Sequence, residues 1–176
     1  MQQTPEGAVP EGDGWFVVNV ADARAVENER AGITCRFENR AVAPFPDFGI
    51  NIKVLQPGQP NAQYHGENAQ ECFLVLHGEC VLVIEEQERR LRAWDFVHCP
   101  AMTRHVFVGA GDGPCAILMV GTRVEDEVLD YPPSEVAARH GAAVEERTPS
   151  EEEAYAGWPH EFTPKRMLWP LDASKR

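Results

Sequence analysis

The feature that most limits how this chain can fold is a dense run of short apolar segments between Phe48 and Val120, each closed by a turn signal. Phe48–Leu55 alternates apolar and polar residues and ends at Gln56-Pro57-Gly58. Cys72–Leu76 stops at His77-Gly78-Glu79. Cys80–Glu85 leads into a hairpin turn over Glu86-Gln87-Glu88, from which Arg89–Arg92 returns. Phe96–Cys99 meets Pro100, His105–Val108 meets the glycine-rich stretch Gly109–Gly113, and Cys115–Val120 closes the series. Successive side chains on a strand point to opposite faces, so alternation marks a half-buried strand. Strands this short, with turns this frequent, build a sandwich or closed barrel and not alternating β-α units.

The flanks read differently. Met1–Gly14 is rich in Pro, Gly and Glu and is expected to be a flexible arm. Trp15–Val20 and Ile33–Glu38 are two further strand candidates, and the polar, alanine-rich Ala21–Arg30 is either a short helix or a loop. After Thr122 the periodicity changes. Ser134–Gly141 reads as a short helix with Ser134 as its cap and Gly141 as its stop. Ser150–Gly157 repeats the design, with Ser150 and Glu153 spaced as a capping box and an acidic first turn that suits the helix dipole. Trp158, Phe162, Met167, Leu168 and Trp169 are too many large apolar side chains for a free tail. The expected organisation is therefore an arm over residues 1–14, a β-barrel over 15–124, and a tail over 125–176 that packs on the barrel or on a partner subunit.

Charge and cysteine use remove several function classes. A net charge of −12 repels phosphate backbones and anionic lipid, which argues against nucleic acid and membrane surfaces as partners. No apolar run approaches the roughly 18 residues that span a bilayer. The N-terminus has neither a basic nor an apolar leader segment, so a cytoplasmic location is expected. Cys35, Cys72, Cys80, Cys99 and Cys115 form no CxxC pair, which disfavours a zinc knuckle or a redox dithiol; most read as small buried hydrophobes.

One stretch carries chemistry. Tyr64-His65-Gly66-Glu67-Asn68-Ala69-Gln70-Glu71 gathers an imidazole and two carboxylates, and His105 follows a proline-led turn. His65 and Glu67, two apart, share a strand face. Glu71 has the same parity, yet along a straight strand it would lie roughly 20 Å from His65. One metal reaches both only if the chain reverses between them, and Gly66 and Asn68 suit a reversal. Buried together, these acceptors are costly without a partner, and a cation is the simplest common one. His98 shares the parity of Phe96 and is a candidate to line the pocket; of His98 and Cys99 at most one can face inward. Tyr64 is read either as orienting a ligand residue or as packing.

These residues resemble the cupin family. Gly58, His65, Glu67, Glu71 and Gly78 look like its first motif, and Trp94-Asp95, Pro100 and His105 look like its second; the resemblance spans residues 48–121. Glu67 stands where the motif has a second His, and Trp94 and Met102 stand at motif glycines. The resemblance implies an all-β jelly-roll, or double-stranded β-helix barrel, followed by the short C-terminal helices. It implies one divalent transition metal, Fe, Mn, Ni or Zn, held by His65, Glu71 and His105, with Glu67 as fourth ligand or as free catalytic base. The expected function is a metal-dependent, oxygenase-like enzyme acting on a small molecule in the barrel; the alternative is a non-catalytic ligand-binding or sensor module. In an oxygenase using a 2-oxo acid, Lys53, Arg104 or Arg123 would supply a cation for the co-substrate's far carboxylate. Pairing into a homodimer is expected, because the aromatic tail and the segment around Trp15 need apolar surface to cover them.

Overall fold

The computed structural model describes residues 1–12 and 14–166; Met167, Leu168 and Trp169 of the expected aromatic tail lie outside the described residues. The strands are β1 (Gln2–Thr4), β2 (Gly7–Val9), β3 (Arg24–Asn28), β4 (Gly32–Arg36), β5 (Phe48–Leu55), β6 (Gly66–Glu67), β7 (Glu71–His77), β8 (Glu79–Ile84), β9 (Gln87–Arg92), β10 (Phe96–Cys99), β11 (His105–Ala110), β12 (Cys115–Thr122), β13 (Leu129–Asp130) and β14 (Thr163–Pro164). Two four-residue helices, α1 (Glu135–Ala138) and α2 (Glu151–Ala154), precede β14. The large sheet runs β10-β7-β12-β5-β4-β3-β14 and the small one β11-β8-β9; β1-β2 and β13-β6 are separate pairs.

The two main sheets face each other as a jelly-roll does. Phe73, Val75 and Ile117 from the large sheet meet Cys80, Leu82 and Phe107 from the small one, all essentially excluded from water. Each of these residues removes apolar surface worth about 1.5–3 kcal/mol for a full-sized side chain, so this layer fixes the register of both sheets. Outside the large sheet, Ala25, Cys35, Ile52 and Val54 are covered by Val18 and Val20. Outside the small sheet, Val83 and Val106 pack against Tyr64, Ala137 and Ala142.

The inward face of the large sheet decides what the barrel can hold. In register across the strands, Glu71 lies opposite Gly121, which lies opposite Gly49. The next inward row is Phe73, Met119, Asn51 and Arg36, and the next is Val75, Ile117, Lys53 and Thr34. Glu71 thus sits at one end of this face and Lys53 two rows away; the row between holds Phe73, Met119 and Asn51 and ends in Arg36 at its β4 edge.

Several elements differ from the sequence expectation. Gln2–Thr4 and Gly7–Val9, read as part of a flexible arm, form a hairpin whose Ala8 and Val9 are buried and whose Glu6 pairs with Arg24. Trp15–Val20 alternates in burial but finds no ladder partner; Trp15 stays exposed. The strand lies instead inside Ala21–Arg30, where β3 pairs with β4 on one side and with β14 on the other. That tail pairing cannot be read from local composition. The β8–β9 turn sits on Glu85 and Glu86, one residue earlier than expected, with φ of 45° and 60°. Two left-handed residues make the tight turn whose twist matches a hairpin. Both helix caps are as expected: Ser134 accepts from Ala137 N–H and Ser150 from Glu153 N–H. Cys35, Cys80, Cys99 and Cys115 are buried and unpaired, as small hydrophobes are.

Candidate metal centre

His65 and His105 face each other across an isolated antiparallel bridge, with His105 N–H donating to His65 O at 2.8 Å and the reverse bond at 3.3 Å. Their ring centroids are 5.6 Å apart. The following turn is drawn in by Met102 N–H, which donates to Glu67 O at 2.6 Å. A Cβ on Gly66 would lie 3.0 Å from Met102 O, so this close approach favours glycine. Asn68 makes the reversal that the spacing demanded: its amide donates to Asp126 O at 2.7 Å and its carbonyl accepts from Val128 N–H at 2.8 Å. The chain then re-enters the barrel as β7, led by Glu71. Opposite it, Gly121 keeps the space open; a Cβ there would lie 3.6 Å from Glu71 Cγ and 3.7 Å from Glu67 Oε1. All four expected side chains are thus gathered at one end of the barrel.

Hydrogen bonds set the protonation of this group. His65 Nδ1 lies 2.7 Å from Gln63 O and His105 Nδ1 lies 2.9 Å from Thr103 O. A carbonyl only accepts, so each Nδ1 carries the proton and each Nε2 presents a lone pair, the arrangement of a ligating histidine. Burial lowers the pKa of both rings; His105, pressed also by His65, falls to about 4. Both are neutral near pH 7. Glu71 goes the other way: burial, then the charge of Glu67, push its carboxyl up to about 8. Glu67 is also raised, by burial and by Glu127, and is hydrogen-bonded to Glu71. Glu71 Oε2 sits 3.3 Å from His105 Nε2. Two bare carboxylates so placed would repel, which favours a proton on Glu71.

The four groups meet in pairs, His65 with His105, His105 with Glu71, and Glu71 with Glu67. Among the described residues, no three His, Cys, Asp or Glu side chains already stand in the geometry of a closed metal cluster. The donor set nevertheless fits a divalent transition ion: two outward Nε2 lone pairs and two carboxylates whose proton a cation can replace.

Other expectations are resolved by the same geometry. His98 is exposed and turned outward, its Nδ1 3.6 Å from Cys72 Sγ, while the neighbouring Cys99 faces the core. Tyr64 packs: it is 1% exposed, and its hydroxyl accepts from Glu86 N–H. Arg104 is paired with Asp130 and Arg123 with Glu38, which leaves Lys53 as the uncommitted member of the three candidate cations among the described residues. Tyr131 stacks on His65 at 5.3 Å and Glu127 bears on both His65 and Glu67. Neither was found from sequence, because both arrive from the tail and belong to no local motif. Gln63, two residues before His65, was missed because the partners of its N–H groups, Tyr155 and Ala154, lie in the tail. Besides taking the His65 proton on its carbonyl, it accepts nothing from chance neighbours: its N–H donates to the Tyr155 hydroxyl at 3.0 Å and its amide to Ala154 O at 3.0 Å.

Residues 51–121 match the family model described as the cupin domain. The chain carries a cupin domain. Solved structures agree with that assignment. A sugar phosphate isomerase of the cupin superfamily from Silicibacter pomeroyi is 28% identical, with a TM-score of 0.52 over 58% of this chain. The chain spans 66% of that protein, just under two thirds of its length. A polyketide cyclase from Streptomyces resistomycificus, 16% identical, superposes with a TM-score of 0.55 over 65% of this chain and 84% of its own. A cupin 2 domain-containing protein from Halorhodospira halophila, 19% identical, gives 0.51 over 62% and 75%. The last two likenesses establish the fold alone. No curated protein matches the chain. Among the described residues, no helix is long and apolar enough to cross a membrane.

Proposed function

We propose that this cupin domain holds one divalent transition metal on His65, His105, Glu71 and Glu67 and is a metal-dependent enzyme acting on a small molecule inside the barrel. The observation that carries this reading is the meeting of two Nδ1-bonded imidazoles with two carboxylates at one barrel end, His105 Nε2 lying 3.3 Å from Glu71 Oε2. When bound, such an ion supplies Lewis-acid polarisation, and electron transfer if it is Fe or Mn.

The chain's own residues supply the proton handling. Gln63 O and Thr103 O hold the two rings in one tautomer, and Tyr131 and Phe73 fix their planes. Glu67 lies on the short strand β6 at the barrel end, and burial and Glu127 raise its pKa, a direction that suits a carboxylate acting as a proton acceptor and donor. This supports proton transfer at a carbon of the substrate, the class of step an isomerase performs. The likeness to the Silicibacter pomeroyi protein, described as a sugar phosphate isomerase, supports the same class. The oxygenase-like reading expected from the sequence rests on His65, His105 and one carboxylate as a three-ligand face.

Metal analysis of protein purified without a tag or chelator tests the centre: about one equivalent per chain is expected. A protein that takes up no Fe, Mn, Ni or Zn ends the metal reading. With metal present, solvent deuterium appearing at a substrate carbon supports proton transfer, and O₂ consumption supports the oxygenase. Tight ligand binding with neither signal makes the domain a sensor. A homodimer is proposed as well: Trp15, Trp94 and Phe96 are 92%, 75% and 65% exposed and offer apolar surface for pairing. A monomeric mass in sedimentation at micromolar concentration removes that proposal.

A further inference from the structure

Lys53 lies on the inward face of β5 and is 9% exposed, yet among the described residues it makes no ion pair. Its Nζ donates to Thr34 Oγ1 at 2.9 Å, a neutral partner. Burial, and then the nearby Arg36, lower its pKa to about 8. An ammonium held out of water beside another cation is an unfavourable arrangement unless something of opposite charge is to join it.

Arg36, solvent-exposed at the end of β4 in the adjacent row, has no ion pair among the described residues either, and partial desolvation, then Arg24 and Arg40, lower its pKa. The two carboxylates that could serve it are committed elsewhere. Glu6 binds Arg24. Glu38 binds Arg40 and Arg123, and accepts from Phe45 N–H at 3.0 Å. The neighbourhood thus sets five cations, Arg24, Arg36, Lys53, Arg40 and Arg123, against four acids, Glu6, Glu38 and the exposed, cavity-lining Glu151 and Glu152, inside a protein whose net charge is −12. Such a local excess is opposite to the protein as a whole.

Space accompanies the charge. Two cavities, of about 490 Å³ and 280 Å³, meet at Thr34, Arg36, Lys53 and Asn61. Asn61 Oδ1 is taken by Phe107 N–H at 2.7 Å, so what it has left to offer is its amide donors. At this junction the polar groups are donors: an ammonium, a guanidinium, an amide and a hydroxyl. The larger cavity continues between Trp158, Pro159 and Phe162, an apolar wall, with the exposed Glu151 and Glu152 also lining it. The smaller one runs along β5 to Gly49, which stands in the same cross-strand row as Glu71.

We propose that Lys53 and Arg36 form an oxyanion-binding subsite, which holds the carboxylate or phosphate of a small organic molecule while its body lies along the cavity. That this molecule is also the one transformed rests on the reading of the metal centre given above; the binding itself does not. The geometry suits a ligand with an anionic head and a partly apolar body. Trp158 and Phe162 give that body a surface, and Arg36 can meet a planar anion with two parallel N–H donors.

The test is a thermal-shift titration at pH 7 and constant ionic strength, with inorganic phosphate and benzoate as the two probes. A saturable rise in the unfolding midpoint is expected for the wild type with at least one of them. A preference for phosphate identifies a phosphorylated ligand, and a preference for benzoate a carboxylate. Lys53→Met and Arg36→Gln are each expected to weaken the response about tenfold or more, consistent with loss of a charge-assisted hydrogen bond. Lys165→Met, which removes a surface lysine paired with Glu27, should titrate as wild type. The His65→Ala/His105→Ala protein should still respond. Absence of a saturable response in the wild type, or wild-type titration by both Lys53→Met and Arg36→Gln, overturns the subsite. A protein that binds metal but no anion refutes the subsite alone, and one that binds anion but no metal refutes the metal centre alone.

Discussion

The two ends of one inward-facing sheet surface carry opposite problems. At the Glu71 end, two acids and two neutral imidazoles crowd together, and burial and repulsion favour a proton on Glu71. At the Lys53 end, a buried ammonium and the exposed Arg36 lie close, and among the described residues neither makes an ion pair. The row between holds Phe73, Met119 and Asn51, with Arg36 at its β4 edge. One end is short of a cation and the other short of an anion, each by an arrangement that a self-sufficient core would avoid. The comparison teaches that buried polarity in this barrel is distributed by what is to be bound and not by what the strands need in order to pair.

The largest effect that could break the comparison is on metal affinity. His65→Ala with His105→Ala removes both outward lone pairs and should weaken metal binding by more than roughly 100-fold, beyond what loss of an outer-shell contact does. Titration with a metal indicator checks this, and circular dichroism should show the barrel intact. Retained affinity would mean that the acids alone define the site.

Next is a pH effect of defined sign. Glu71 is raised from 4.5 to about 8, so the folded, metal-free protein holds a proton that the unfolded chain releases. Stability is full below the ordinary carboxylate value and is lost as pH climbs through about 8. His105, lowered from 6.5 to about 4, acts oppositely: the unfolded chain takes up the proton first, and stability is lost as pH falls through that interval. The two trends oppose each other between 4.5 and 6.5, leaving the carboxylate slope bare from 6.5 to 8. Metal-free protein should lose several degrees of unfolding midpoint over that upper interval, at roughly 2–4 °C per kcal/mol for a chain of this size. Glu71→Gln, or added metal, should flatten the slope. A steep slope that survives Glu71→Gln would place its origin elsewhere.

The basic end yields a smaller change of opposite character. Replacing a buried, unpaired ammonium by an apolar isostere is expected to be neutral or to stabilise the unliganded protein by about 1–2 kcal/mol. Lys53→Met measured by urea unfolding without oxyanions checks this; a clear loss of stability would show that the Thr34 bond outweighs the buried charge. Smallest of all, His98→Ala should leave metal affinity and stability unchanged to within about 0.5 kcal/mol, because the ring points outward. A measurable drop in metal uptake would put that residue back in the centre.

Much of this was legible before any coordinates, for reasons that differ from residue to residue. The alternation in Phe48–Leu55 marked that segment as a half-buried strand, and the oxygenase alternative made Lys53 one of three candidate cations with Arg104 and Arg123. The interval from His65 to Glu71 demanded a reversal, and Asn68 provides it. Trp94 and Met102 replace motif glycines, yet they hold φ of 77° and 65°, the left-handed conformation that glycine would hold there. The backbone pattern outlived the residue that usually marks it. What stayed hidden depended on distant segments: β3 on its pairing with the tail strand β14, Tyr131 on a stack reaching back across the chain, and the isolation of Lys53 on where Glu6 and Glu38 spend their charge. His98 misled because periodicity states which neighbours share a face but not which face is inside.

Gln63 ties its carbonyl to the His65 ring and its two N–H groups to Ala154 and Tyr155. During synthesis, every main barrel strand from β3 to β12 emerges before residues 154 and 155. A nascent chain can therefore possess its sheets while the support behind the first histidine is still missing. If the centre binds an ion as proposed, competence to load it would arrive late, with docking of the second helix.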